Sequence, residues 1–328
     1  MIILGIESSC DETAAAICND GSILSSIVSS QQIHKDFGGV VPEVASREHE
    51  RLLNHSVEKA LDEAEISLSD LDGIGVTRGP GLAGTLLTGV CFAKGLSQSL
   101  NIPIIGINHL EAHIYANFLT DPTLIYPLVC LLVSGGHTQL WLVKEMADYE
   151  LLGETRDDAA GEAFDKGARI LGLDYPGGPA IEKMAHNGDC KAIDFPRAFY
   201  KEESLEFSFS GLKTSLLYFM EKKDKSVILA DVAASYQQAI LDVLVYKLAT
   251  AVKRKDVRTC VIAGGVAANN ELRSMVKKTI GDEISVLYPE AALCTDNAAM
   301  VAYLSELYMK KGFTSPIDFD VSPNLKVV

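Results

Sequence analysis

Two stretches of this chain repeat one pattern of strands and turns. Residues 2–6, IILGI, form an apolar run of strand length. TAAAIC follows after a polar turn, and NDG separates it from SILSSIVSS. Asn-Asp-Gly carries the chemistry of a tight hairpin turn. Residues 126–152, YPLVCLLVSGGHTQLWLVKEMADYELL, repeat the arrangement. A buried strand runs into the polar turn SGGHT, QLWLV follows, and a charged turn leads to a third short strand. One supersecondary unit used twice, each copy followed by helices, predicts two similar lobes.

The 328 residues suffice for one large or two medium lobes, and 48% hydrophobic content is globular. There is no apolar run of about 18 residues, so no membrane span is expected. MIILGIESSCDET lacks a basic leader and a small-residue cleavage site, so no signal peptide is expected either. The net charge of −15 gives no global field to attract nucleic acid. Action on RNA would need a local basic patch or a partner. KKDK (222–225) and KRKDVR (253–258) read as solvated helix ends or loops. The seven cysteines are scattered, without CxxC, which fits reduced thiols in a cytoplasm.

Between the repeats, residues 43–65 have the apolar spacing of an amphipathic helix. Residues 74–100 read as strand, Gly-Pro-Gly turn and helix, with Gly81, Gly84 and Gly89 suited to close backbone packing. This glycine series lacks the Lys-Ser/Thr of a P-loop and does not match GxGxxG. TCVIAGGVAANNELRSMVKK (259–278) is a strand, a Gly264-Gly265 pair and a helix. Such a junction offers free N–H groups to an anion or lets a nucleotide lie against backbone; it also serves plain tight turns.

NHLEAHIYANF (108–118) holds two histidines four apart. On a helix His109 and His113 share a face and can chelate one metal. The zinc-protease motif HExxH places its glutamate beside the second histidine. Here Glu111 is two residues from each histidine, about 200° round the helix, so it points away and cannot serve as that base. Asp296, in LCTDNAAMVAYL (293–304), is a candidate third ligand. Its alternative role is a helix N-cap or first-turn residue.

Nine segments in order resemble the TsaD family of bacterial tRNA N6-adenosine threonylcarbamoyltransferases. They are GIESSCDETAAAI, FGGVVPEVASREH, GPGLAGTLLTG, NHLEAH, LLVSGGHTQL, DDAAGEAFDKGARILGLDYPGGP, FSFSGLKT, AGGVAANNELR and CTDNAAM. They span nearly the whole chain, and nine in register make chance resemblance untenable. The resemblance implies the α/β fold of actin, the Hsp70 ATPase and sugar kinases (ASKHA), with two RNase H-like lobes around a nucleotide-binding cleft. The expected lobes are 1–125, with 305–328 returning to it, and 126–304, with the nucleotide and metal site at their interface.

The resemblance further implies that His109, His113 and Asp296 hold one divalent metal, iron or zinc, with iron favoured. It implies that Leu132, Val133, Ser134, Gly135, Gly136, Asp165, Gly178 and Asn269 line the substrate site, and that Glu182 reaches the ribose. The expected reaction passes a threonylcarbamoyl group from threonylcarbamoyl-AMP to N6 of adenosine 37 in tRNAs reading ANN codons, releasing AMP. Implied partners are a TsaB-like paralogue and a TsaE-like ATPase, with a TsaC-type enzyme making the adenylate. The helices of the first lobe, including 43–65 and 81–100, are the expected TsaB surface. Asp11 and Glu12, in the first-lobe turn SSCDET, are candidate base or orienting groups for the N6 proton; alternatively they cap the turn. Competing functions are a phosphotransferase or ATPase on the same fold, a metalloprotease, and a non-catalytic scaffold.

Overall fold

The computed structural model describes residues 1–224 and 226–327, and divides the chain into two compact units. The first comprises Met1–Pro122 and Ala291–Val328, the second Thr123–Glu290.

The first unit opens with β1 (Ile2–Glu7), β2 (Glu12–Asn19) and β3 (Ser22–Ser30). Asn19 pairs with Ser22, and Asp20 and Gly21 between them both have positive φ (48° and 80°). That is the hairpin NDG predicts, because both central residues must tolerate left-handed backbone. Then come α1 (Pro42–Ala64), β4 (Gly73–Gly79), α2 (Ala83–Leu100), β5 (Ile104–Asn108) and α3 (His109–Thr120). The sheet order is β3-β2-β1-β4-β5. β1 pairs antiparallel with β2 and parallel with β4. α1 and α2 cover one face, with Leu53, Val57, Leu61 and Val90 in one core with Leu4, Ile6, Ile74 and Val76. Gly81, Gly84 and Gly89 serve close packing: a Cβ on them would meet Ser9 O at 2.6 Å, Ser46 Oγ at 2.5 Å and Ser8 Oγ at 2.2 Å.

The second unit contains β6 (Leu128–Val133), β7 (Thr138–Glu145), β8 (Asp148–Glu154), α4 (Ala160–Leu171), α5 (Gly177–Ala185), α6 (Ser210–Lys222) and α7 (Leu229–Lys255). β9 (Thr259–Ala263), α8 (Asn270–Ile280) and β10 (Ser285–Leu287) complete it. Its sheet order, β10-β9-β6-β7-β8, reproduces the first, with β6 antiparallel to β7 and parallel to β9. Lys253–Lys255 end α7, and Lys255 Nζ donates to Glu150 at 2.5 Å. KRKDVR is therefore a helix end, as expected. Lys222 ends α6, while Lys225 of KKDK lies outside the described residues.

The chain returns to the first unit with α9 (Ala291–Cys294) and α10 (Ala298–Lys310). This corrects the expected boundary, which kept residues up to 304 in the second lobe. The reason lies in β1 and β4. A Cβ on Gly5 would sit 2.5 Å from Ala298 O and Ala302 N, and one on Gly75 would sit 1.8 Å from Ser305 Oγ. Bare backbone on the strands lets the whole of α10 lie directly on the first sheet. Asp296 therefore belongs to the unit that carries the histidines. Among the described residues no helix is long and apolar enough to cross a membrane.

Candidate metal and substrate sites

α3 begins directly at the end of β5. Asn108 caps it, its Oδ1 accepting from Leu110 N at 2.9 Å and Glu111 N at 3.3 Å. This cap starts the helix at His109, so His109 and His113 fall one turn apart on one face. Both are buried. Asn297 rather than Asp296 caps α10, with its Oδ1 accepting from Met300 N at 3.0 Å. The Asp296 carboxylate is thus left for the histidines: Oδ1 lies 3.1 Å from His113 Nε2 and 3.5 Å from His109 Nε2.

One ligand atom from each of the three side chains lies within 4.8 Å of the others. Two imidazole nitrogens converging on one carboxylate oxygen fit a divalent ion, and the donor set suits iron or zinc. Burial alone would lower the His109 pKa, but the carboxylates of Asp296 and Glu7 hold it well above the usual histidine range. Burial would raise that of Asp296, yet the adjoining His109 and His113 hold it well below the usual carboxylate range. The same convergence of two imidazoles on one carboxylate could hold a cation where it now shares protons.

Glu111 turns the other way, and its Oε1 accepts a hydrogen bond from Tyr308 Oη on α10. The angular argument against a zinc protease therefore holds. Tyr308 was not foreseen, because helix spacing says where Glu111 points but not what it meets.

Glu7 was also missed. It ends β1 fully buried, and its Oε2 lies 3.0 Å from His109 Nδ1. The available signal was an acidic residue closing an apolar strand. Glu12, at the start of β2, is pushed up to about 9, first by burial and then by the charges of Asp296 and Asp11. A cation on Asp296 would weaken the second of those causes. The turn itself is tied down. His49 Nε2 donates to the Cys10 carbonyl at 3.0 Å, and its Nδ1 faces Thr13 Oγ1 at 2.8 Å.

The second unit gathers the other expected residues in two groups. At the ends of β6 and β9, Gly161 N donates to Ser134 O at 3.1 Å, and Ser134 N donates to His137 O at 2.8 Å. Gly264 lies so close that a Cβ would meet Val133 O at 2.4 Å, whereas Gly135 and Gly136 face open space. Leu132 and Val133 have fully buried side chains, so only their backbone is available to a ligand. In the second group Asp165 Oδ1 accepts from Gly177 N at 2.8 Å, holding the start of α5, which carries Gly178. Glu182 Oε1 accepts from Asn270 N at 2.8 Å. Asn269 caps α8 through Leu272 N at 2.9 Å and donates to Gln237 Oε1 at 3.0 Å. Gln237 was missed because it lies mid-helix on α7 with no motif around it. Pro179, Glu182, His186, Gln237 and Asn270 border a cavity of about 930 Å³.

Two units, each on a five-stranded mixed sheet of one topology, have the α/β fold of the actin, Hsp70 and sugar-kinase class. T. kodakarensis HypF superposes with a TM-score of 0.65 at 15% identity, over 94% of this chain and 48% of that one. Component A of (R)-2-hydroxyglutaryl-CoA dehydratase from Acidaminococcus fermentans gives 0.57 at 15% identity, over 93% of this chain and 98% of that one. These likenesses concern the fold alone. In sequence, the family model described as TsaD, tRNA N6-adenosine threonylcarbamoyltransferase, matches residues 22–303. The tRNA N6-adenosine threonylcarbamoyltransferases of Thermosipho africanus and Clostridium kluyveri are each 52% identical to this chain. The first alignment covers 100% of both chains, the second 99% of this chain and 97% of the relative. The chain belongs to the TsaD family.

Proposed function

We propose that this protein transfers the threonylcarbamoyl group of threonylcarbamoyl-AMP to N6 of adenosine 37 in tRNAs that read ANN codons. The observation that carries the reading is the convergence of His109, His113 and Asp296 in a chain of this family. The reaction is acyl transfer: the N6–carbonyl bond forms, the bond to the AMP phosphate oxygen breaks, and the N6 proton leaves. A divalent ion held by the three side chains supplies Lewis-acid chemistry, and iron is the favoured identity. The exposed Gly135-Gly136 turn offers backbone N–H groups to the phosphate or carbonyl oxygen. Asp165, Gly178, Glu182 and Asn269 are assigned to the adenylate, partly through the helix starts they organise. Asp11 or Glu12 takes or orients the N6 proton.

With a net charge of −15, tRNA binding relies on partners, a TsaB-like paralogue and a TsaE-like ATPase. The TsaB-like partner docks on α1 and α2, where Leu53, Leu87, Cys91 and Phe92 border a groove of about 320 Å³. Seven free thiols suit a reducing cytoplasm. The protease alternative finds no support, since Glu111 is engaged by Tyr308 on the other side of α3.

The test is transfer of labelled threonine to tRNA with purified TsaB-, TsaE- and TsaC-type partners, comparing wild type with His109→Ala. Activity in wild type and its loss in a folded, metal-depleted variant is the expected result. No transfer by wild type with matched partners would overturn the reading.

A further inference from the structure

Glu7 is a carboxylate enclosed in the first unit. It is fully buried, and three donors surround it: Ser9 N at 2.6 Å from Oε1, Thr77 Oγ1 at 2.6 Å from Oε2, and His109 Nδ1 at 3.0 Å from Oε2. Isolating such a charge is costly, so these donors fix where it sits. Two belong to turns and strands of the sheet; the third belongs to a ring of the metal site. The two histidines differ in this respect. Both present Nε2 to Asp296, yet only His109 is held from behind. His113 Nδ1 is buried with no hydrogen-bond partner among the described residues.

We infer that Glu7 is a positioning residue of the metal site: it holds the proton of His109 on Nδ1 and keeps the Nε2 lone pair aimed at the ion. A carboxylate can only accept, so the nitrogen against it carries the hydrogen. The opposite nitrogen is then free to ligate. Ser9 Oγ, 3.2 Å from the same Nδ1, lies beside this bond. Thr77 in turn holds the oxygen that touches the ring. The chain β4–Thr77–Glu7–His109 thus ties ligand orientation to the sheet, and His109 is the rigid ligand of the pair. Partners behind a ligating histidine change metal affinity by about 10- to 100-fold.

The inference rests on the metal reading above, and its test separates the two. Zn2+ and Co2+ alone are titrated into the purified full chain against a competing chelator, without tRNA or adenylate. Wild type, Glu7→Gln, Thr77→Val and His109→Ala are compared, with thermal unfolding as the folding control. Glu7→Gln is expected to bind about 10- to 100-fold more weakly and to shift the Co2+ d–d bands at saturation. Thr77→Val, which keeps the carboxylate, is expected to lose about fivefold, the worth of one hydrogen bond; this variant carries the test if Glu7→Gln does not fold. Wild-type affinity and spectrum in folded Glu7→Gln, or in Thr77→Val where Glu7→Gln does not fold, alongside weak binding by His109→Ala, would overturn the positioning role and leave the metal site standing. Equal, negligible binding by wild type and His109→Ala would overturn both.

Discussion

The two β-turns that open the two sheets hold the same topological place and are built in opposite ways. The first, between β1 and β2, is packed with side chains: Glu7 is buried against a histidine, Cys10 is pinned by His49, and Glu12 is raised by its acidic neighbours. The second, between β6 and β7, has two glycines that face open space and a serine bonded to His137 of its own turn and to Gly161. A duplicated frame therefore does not duplicate chemistry. One turn supplies side-chain charge next to the candidate ligands for a cation. The other supplies exposed backbone, which suits an anion or a carbonyl oxygen.

The contrast is easiest to break at the strands leading into the turns. Gly5 in β1 must stay bare for α10, while Leu131 at the matching place in β6 is fully buried core. Gly5→Val should destabilise the protein by about 3 kcal/mol through overpacking, and Leu131→Ala by a similar amount through a cavity. Denaturant midpoints measure both, and a tolerated Gly5→Val would mean α10 does not sit where it is described.

A second test concerns the side-chain anchoring of the first turn. Burial lowers the His49 pKa below the usual histidine range. The unfolded chain then takes up a proton at a pH where the folded one does not. The associated stability is fully present above about pH 6.5 and is lost as the pH falls from there towards the folded-state value. His49→Gln should flatten this part of the stability profile, the two proteins diverging as the pH falls below about 6.5. Parallel profiles for wild type and variant would remove the claim.

Smaller effects belong to the second unit. Asn269→Ala deletes the cap of α8 and the bond to Gln237, for a loss of about 1 kcal/mol. The same variant should bind the adenylate more weakly if the start of α8 contributes to that site, which calorimetry with a non-hydrolysable analogue would show. Gly135→Ala should leave stability within about 0.5 kcal/mol, since nothing lies within 4 Å of a new Cβ. A larger loss would make that turn as packed as its counterpart and erase the distinction.

Much of this architecture can be read from local pattern. The apolar runs of β1 and β6, the Asp20-Gly21 hairpin and the apolar spacing of α1 are all short-range signals, and each matches the folded chain. The histidine spacing likewise determined that His109 and His113 share a face and that Glu111 does not. Such periodicities follow from helix and strand geometry alone. What the sequence left open was long-range. Whether Asp296 caps a helix or joins the histidines was decided by Asn297 taking the cap and by α10 docking on Gly5 and Gly75. Glu7, Tyr308 and Gln237 found their partners through packing between elements remote in the chain. Local residue order determines which groups a segment can present; only tertiary packing determines which of them meet, because a buried polar group must find its partner in three dimensions.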